Sequence, residues 1–111
     1  MDIGPVEWDG EVLTIQGRGT FGIGSQGQPS ARRLYEAVES FLSAHAGMTV
    51  SVLNVDFRIV EYEWGDGPVS SLIPFLVQKS GKRVRYLASA ENRTALTNLV
   101  ETCGHPEFEV T

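Results

Sequence analysis

The sequence is poor in the residues that most often build covalent or metal-dependent sites. Its single cysteine, Cys103, excludes an intrachain disulfide. The two histidines, His45 and His105, do not belong to a pattern with the spacing of zinc ligands. No nucleophile, histidine and carboxylate fall into a recognisable catalytic arrangement. We therefore predict no catalytic residue, no metal site and no cofactor, and we expect a protein that is not an enzyme.

Long apolar runs and basic tracts are also absent. No stretch approaches the roughly 20 apolar residues that a membrane-spanning helix requires, and the first residues lack the basic and apolar regions of a signal peptide. The net charge is −5, and the densest basic cluster, at residues 79–85, is typical of a solvated strand edge. These features argue against membrane and nucleic-acid binding and predict a cytoplasmic protein.

The residues that are present predict one compact α/β domain spanning residues 1–111. The hydrophobic fraction of 41% and the charged fraction of 21% are ordinary for a soluble globular protein of this length. Alternating strands and helices predict a central mixed sheet with an N-terminal hairpin and about three covering helices. The continuous apolar run within residues 48–55 predicts a strand in the interior of that sheet.

Apolar periodicity and turn signals set the boundaries of these elements. The predicted strands are a hairpin at residues 5–8 and 11–17, followed in the chain by strands at 48–55 and 84–87 and an edge strand at 108–110. A glycine-rich loop is predicted at 17–29. The predicted helices are one at 30–46, capped by Ser30 and ended by Gly47, one that starts near 69–72 and ends at Gly81, and one at 90–103, capped by Ser89 and ended by Gly104. The residues predicted to be buried are Leu34, Val38, Phe41, Val52, Leu53, Leu96 and Leu99.

The segment most informative about function follows the predicted central strand. There the chain enters the turn Trp64-Gly65-Asp66-Gly67-Pro68, and an apolar, helix-like segment starts at once. A strand, a glycine turn and a helix start in succession aim backbone N–H groups at one surface position, which suits an anion.

Three stretches around this turn resemble STAS domains, the fold of anti-sigma-factor antagonists. VSVLNVDFRIVEYEWGDGPVSSLIPFL, at residues 50–76, is similar to the family's central strand, Asp-Ser-x-Gly turn and apolar helix. GKRVRYLASAENRTALTNLVETCG, at residues 81–104, looks like the end of the fold, and GEVLTIQGRGTF, at residues 10–21, resembles its opening strands. The resemblance implies a non-enzymatic regulatory module that binds a protein partner, such as a kinase or another anti-sigma-type regulator.

The family's functional residue is a serine or threonine in that turn, phosphorylated by a partner kinase that doubles as an anti-sigma factor. This sequence departs from the pattern, because none of the residues at positions 64–67 carries a hydroxyl. Ser70 and Ser71 follow at the predicted helix start, where helix capping is the simpler interpretation and phosphorylation the alternative. The predicted interaction surface comprises Trp64, Gly65, Asp66, Gly67, Ser70 and Ser71.

A second hypothesis assigns the same turn to a small ligand. In that hypothesis the Gly65–Pro68 turn and the following helix N-terminus hold a small anion or the phosphate of a nucleotide.

Overall fold

The computed structural model describes residues 2–21, 27–45, 47, 49–63, 67–73, 75 and 82–111. Its strands are β1 (Asp2–Asp9), β2 (Val12–Phe21), β3 (Val52–Asp56), β4 (Val60–Tyr62), β5 (Arg83–Leu87) and β6 (Phe108–Val110), and its helices are α1 (Gly27–Ala44), α2 (Gly67–Ser70) and α3 (Arg93–Cys103). The described residues thus form the α/β architecture that the sequence predicts.

The strands form one mixed sheet in the order β1-β2-β3-β5-β6, and the short strand β4 pairs with the last residues of β2. β1 and β2 are antiparallel, whereas the other neighbours are parallel. β3 lies between β2 and β5, so the predicted interior position of this strand is confirmed. The predicted edge strand near the C-terminus is β6, at one end of the order.

The two faces of the sheet follow from the period of two in its strands. Leu13 of β2, Leu53 of β3 and Val84 of β5 are in register and fully buried on one face. Leu34 of α1 and Leu96 of α3 join the same buried cluster. The core therefore lies between this face and the two longer helices.

Both long helices start at residues other than the predicted ones. α1 begins at Gly27, and Ser30 is a buried residue of the helix and not its N-cap. Pro29 lies in the first turn, where its missing N–H removes no helical hydrogen bond. α3 begins at Arg93, later than predicted. Ser89 nevertheless caps the turn that leads into it, because its Oγ accepts the N–H of Asn92 and its own N–H donates to Oδ1 of Asn92.

The helix ends follow the glycine signals. Gly104 adopts a left-handed φ of 69° after α3, and its N–H donates to the carbonyl of Val100. Gly47 also has a positive φ, 96°, just beyond the end of α1. Both positions confirm the predicted ends, because the left-handed region favours glycine.

The second predicted helix starts earlier than expected. α2 is a four-residue helix, Gly67–Ser70, and Ser71 and Leu72 form a turn after it. Pro68 favours this early start, because its fixed φ suits the first positions of a helix. The predicted end of this helix, at Gly81, lies outside the described residues.

The buried core includes four of the predicted residues, whereas three others are half-buried. Phe41 and Leu99 pack against the core but keep part of their surface exposed. Val52 is half-buried and precedes the buried Leu53, so it lies on the opposite face of β3. The predicted core omitted the aromatic centre of the molecule, in which the Phe57 ring lies 5.8 Å from Phe21 and 5.1 Å from Tyr86. The four that are buried as predicted are Leu34, Val38, Leu53 and Leu96.

Candidate functional site

Gly67 fixes the position of α2 against the end of β2 and against α1. A Cβ atom at Gly67 would lie 2.8 Å from Cζ of Phe21 and 3.2 Å from Cβ of Ala31. Because Phe21 is buried, its ring has little room to move away. Glycine is therefore needed here for close packing.

A buried tyrosine holds the same helix from the side of β5. The hydroxyl of Tyr86 donates a hydrogen bond to the backbone carbonyl of Pro68. Burial raises the pKa of Tyr86 well above its ordinary value, so this hydroxyl stays protonated and keeps its donor role. α2 is thus attached to β2, α1 and β5.

The two serines of the predicted surface differ in accessibility. Ser70 is exposed, as the last residue of α2. The Oγ atom of Ser71 is buried, and it has no hydrogen-bond partner among the described residues. A shallow recess of about 310 Å³ lies beside them and is lined by Ala31, Arg32, Tyr35, Ser70 and Ser71. Of the other predicted surface residues, Gly67 packs as described above, whereas Trp64, Gly65 and Asp66 lie outside the described residues.

A buried carboxylate at the end of β3 was not predicted from the sequence. Asp56 accepts hydrogen bonds from the backbone N–H of Arg58 at 3.0 Å and from Nε and Nη2 of its guanidinium at 3.0 and 2.8 Å. The hydrogen bond from the Arg58 side chain lowers the pKa of Asp56, and it outweighs the opposing effect of burial. Asp56 thus fixes the start of the turn between β3 and β4.

We expect Asp56→Asn to cost about 2 kcal/mol of stability at neutral pH, because it weakens hydrogen bonds to a charged group. A carboxyl whose pKa is lowered in the folded state stabilises the protein above its unfolded pKa, and this stabilisation is lost as the pH falls through the folded pKa. The difference from the wild type should therefore be complete above the ordinary value of 3.8 and shrink below it. Urea titrations at several pH values measure this difference, and a pH-independent difference would contradict the assignment.

Asn92 joins two loops at the carboxyl ends of β3 and β5, and it too was not predicted. Its Nδ2 donates to the carbonyls of Phe57 and Val60 at 2.8 and 2.9 Å, and its Oδ1 accepts the backbone N–H of Ser89 at 2.8 Å. The side chain is buried. The two bonds from Nδ2 span 35 and 32 residues of sequence, whereas the bond from Ser89 is local. Asn92 thus holds the β3–β4 turn against the loop before α3.

A recess of about 500 Å³ lies next to the β3–β4 turn and is lined by Arg58, Ile59, Val60, Glu61, Tyr62, Glu91 and Asn92. Within the described part of the chain, no group of three His, Cys, Asp or Glu side chains could hold a metal ion. In the same residues, no helix has the length and apolarity needed to cross a membrane.

Comparison with known proteins gives a structural match. No protein-family model matches the sequence, and a search of curated proteins finds no match. Among solved structures, the chain is similar to the anti-sigma factor antagonist SpoIIAA in its unphosphorylated form, with a TM-score of 0.65 and 10% sequence identity. The match covers 99% of this chain and 88% of that chain. The protein therefore has a STAS-like α/β fold.

Proposed function

We propose that this chain is a single-domain, non-enzymatic regulatory module that binds a protein partner in the cytoplasm. Its docking surface, called here the α2 surface, comprises Trp64, Gly65, Asp66, Gly67, Ser70 and Ser71. The observation that carries the proposal is the close packing of Gly67 on Phe21 and Ala31 within a STAS-like fold. The partner we propose is a kinase or another anti-sigma-type regulator.

The described part of the α2 surface, within residues 67–71, is supported from beneath by the rest of the fold. Gly67 is packed against β2 and α1, and Pro68 accepts the hydrogen bond of the buried Tyr86. A surface held in one conformation before binding loses less conformational entropy when a partner docks. This rigidity suits protein recognition.

The proposed regulation differs from that of a phosphorylated antagonist. Asp66 places a carboxylate in the turn where the family has a hydroxyl, so the turn is negatively charged without phosphate. Of the two nearby serines, Ser70 is exposed, whereas the Oγ of Ser71 is buried. Ser70 is thus the hydroxyl within reach of a partner kinase, and a phosphate there would add about −1.5 to −2 charges.

A small-anion or nucleotide site in the same turn has weaker support. α2 contains four residues, about one helical turn. The partial charge at a helix N-terminus arises from peptide dipoles aligned over several turns, so α2 contributes little of it. Protein binding is therefore the function that the geometry supports better.

The test compares two charge reversals, Asp66→Lys on the α2 surface and Glu101→Lys on α3. Glu101 is an exposed carboxylate in the last turns of α3. Because α3 leads into the start of β6, Glu101 lies at the end of the parallel strands opposite to the α2 surface. Each protein is immobilised on beads and incubated with extract from its source cells. The proteins that the beads retain are then quantified by mass spectrometry. We expect the wild type and Glu101→Lys to retain the same partner protein in similar amounts. The amount retained by Asp66→Lys should fall about tenfold or more, because misplaced charge at an interface costs several kcal/mol.

Melting temperatures complete this test. Both variants should melt within a few degrees of the wild type. Glu101 is exposed, Asp66 belongs to the turn that the sequence predicts at the surface, and surface substitutions usually change stability by no more than about 0.5 kcal/mol. If Asp66→Lys melts far lower, or retains the same protein as the wild type, Asp66 is not part of a docking surface and the proposal is wrong.

A further inference from the structure

One edge of the sheet, β1, is an acidic strand that carries two exposed apolar side chains. In the described part of the chain β1 pairs with β2 alone, so its outer edge has no partner strand. Val6 and Trp8 of β1 keep 39% and 43% of their surface exposed. An edge strand presents the N–H and C=O groups of alternate residues, which can pair with a strand from another chain.

The two apolar side chains continue the core face of the sheet. Val6 is in register with Ile15, and Trp8 with Leu13, and both residues of β2 are fully buried. Residues directly opposite each other in an antiparallel pair lie on the same face. Helix α1 approaches the start of β1, where Arg33 Nη1 lies 2.8 Å from Oδ1 of Asp2, but the apolar face remains partly exposed at Val6 and Trp8. A strand added there would place alternate side chains beside Val6 and Trp8.

The charges of this edge specify what can occupy it. The opposite face of β1 carries Glu7 and Asp9, both exposed. From Asp2 to Gly17 the sequence has four acidic residues and no lysine or arginine. A second copy of β1 would set carboxylates against carboxylates, which is destabilising, whereas lysine or arginine opposite them is favourable.

We propose that β1 is a docking edge for an extended segment of another protein in which apolar residues alternate with lysine or arginine. Backbone hydrogen bonds to β1 would supply affinity, and the alternating side chains would supply specificity. The register shift between Ile3 and Val6, next to Pro5, limits the usable edge to residues 6–9. This edge is separate from the α2 surface, so the two proposals stand or fall independently.

The probe is a fluorescein-labelled octapeptide, (Lys-Val)4, whose binding is followed by anisotropy. Two matched peptides serve as controls: (Glu-Val)4 reverses the charge, and (Lys-Val)4 with every amide N-methylated cannot donate backbone hydrogen bonds. We expect both controls to bind at least about tenfold more weakly, which corresponds to 1.4 kcal/mol. If the N-methylated peptide binds as well as (Lys-Val)4, the acidic edge attracts cations without pairing as a strand, and the proposal is wrong.

Protein variants locate the site. Trp8→Ser and the double variant Glu7→Lys/Asp9→Lys should each weaken binding of (Lys-Val)4 about tenfold. The charge-matched control Glu91→Lys/Glu101→Lys changes exposed carboxylates elsewhere and should bind as the wild type does, as should Asp66→Lys. Equal weakening by both double variants would show an effect of net charge alone and would overturn the proposal.

Hydrogen exchange of the amides at residues 6–9 gives a direct readout of strand pairing. Exchange of alternate amides should slow when (Lys-Val)4 is added. Unchanged exchange would contradict pairing at this edge. Protection that is already present without peptide, and that grows with protein concentration, would identify a second copy as the occupant and would also overturn the proposal.

Discussion

Replacing Asn92 by alanine should destabilise the protein by about 3–5 kcal/mol, since it removes several hydrogen bonds from buried backbone groups that each cost about 1–3 kcal/mol when unpaired. In this variant the carbonyl of Val60 and the N–H of Ser89 lose their hydrogen bonds to the Asn92 side chain. The carbonyl of Phe57 keeps a second hydrogen bond, from the N–H of Val60. Urea denaturation monitored by circular dichroism measures the loss.

Two control variants separate these hydrogen bonds. Asn92→Asp keeps the acceptor for Ser89 but sets a carboxylate oxygen against the carbonyls of Phe57 and Val60, so it should destabilise the protein at least as much. Ser89→Ala removes the acceptor of the Asn92 N–H alone, and should cost about 1 kcal/mol. A loss below about 1 kcal/mol for Asn92→Ala would show that the two loops do not depend on this side chain.

Enlarging Gly67 should be the second most damaging change. We expect Gly67→Val to cost about 3 kcal/mol and Gly67→Ala about 1–2 kcal/mol, because overpacking a dense core forces side chains and backbone to shift. The Cβ of either variant would lie 2.8 Å from the buried ring of Phe21. The graded pair tests whether space at Gly67 is the cause, since the larger side chain should cost more.

A double-mutant cycle with Phe21→Leu tests whether the Phe21 ring causes the destabilisation when Gly67 is enlarged. If the Phe21 ring is the obstacle, Gly67→Ala should cost less in the Phe21→Leu background than in the wild type, with a coupling of at least about 0.5 kcal/mol. Strict additivity would show that α2 is not positioned by contact with Phe21. The structural basis of the α2 surface would then have to be revised.

The sequence predicts the parts of this fold that depend on local patterns. The apolar run at residues 48–55 predicted the interior strand β3, and Gly104 predicted the end of α3. The start of α1 was placed too late, because Ser30 carries a strong capping signal and the structure instead uses the proline of the first turn. Local signals compete at helix starts, so boundaries are less predictable than the elements themselves.

The polar residues that hold the candidate site could not be predicted in the same way. Asn92 bonds to carbonyls 35 and 32 residues away in sequence, and only the folded sheet brings those segments together. Asp56 offered a weak signal, since a carboxylate ends an apolar run with Arg58 two residues later. The exposure of Ser70 and the burial of the Ser71 hydroxyl likewise arise from how α2 packs, which the sequence alone does not show.

Site-specific photocrosslinking from Ser70 tests whether a partner docks on the α2 surface. The photoreactive residue p-benzoylphenylalanine replaces Ser70 in one variant and Thr102 in another, both exposed positions, the second at the far end of α3. After irradiation in the source cells, we expect one discrete protein adduct from position 70 and none of the same mass from position 102. The same adducts from both positions, or none from position 70, would contradict a regulatory module that docks its partner through the α2 surface.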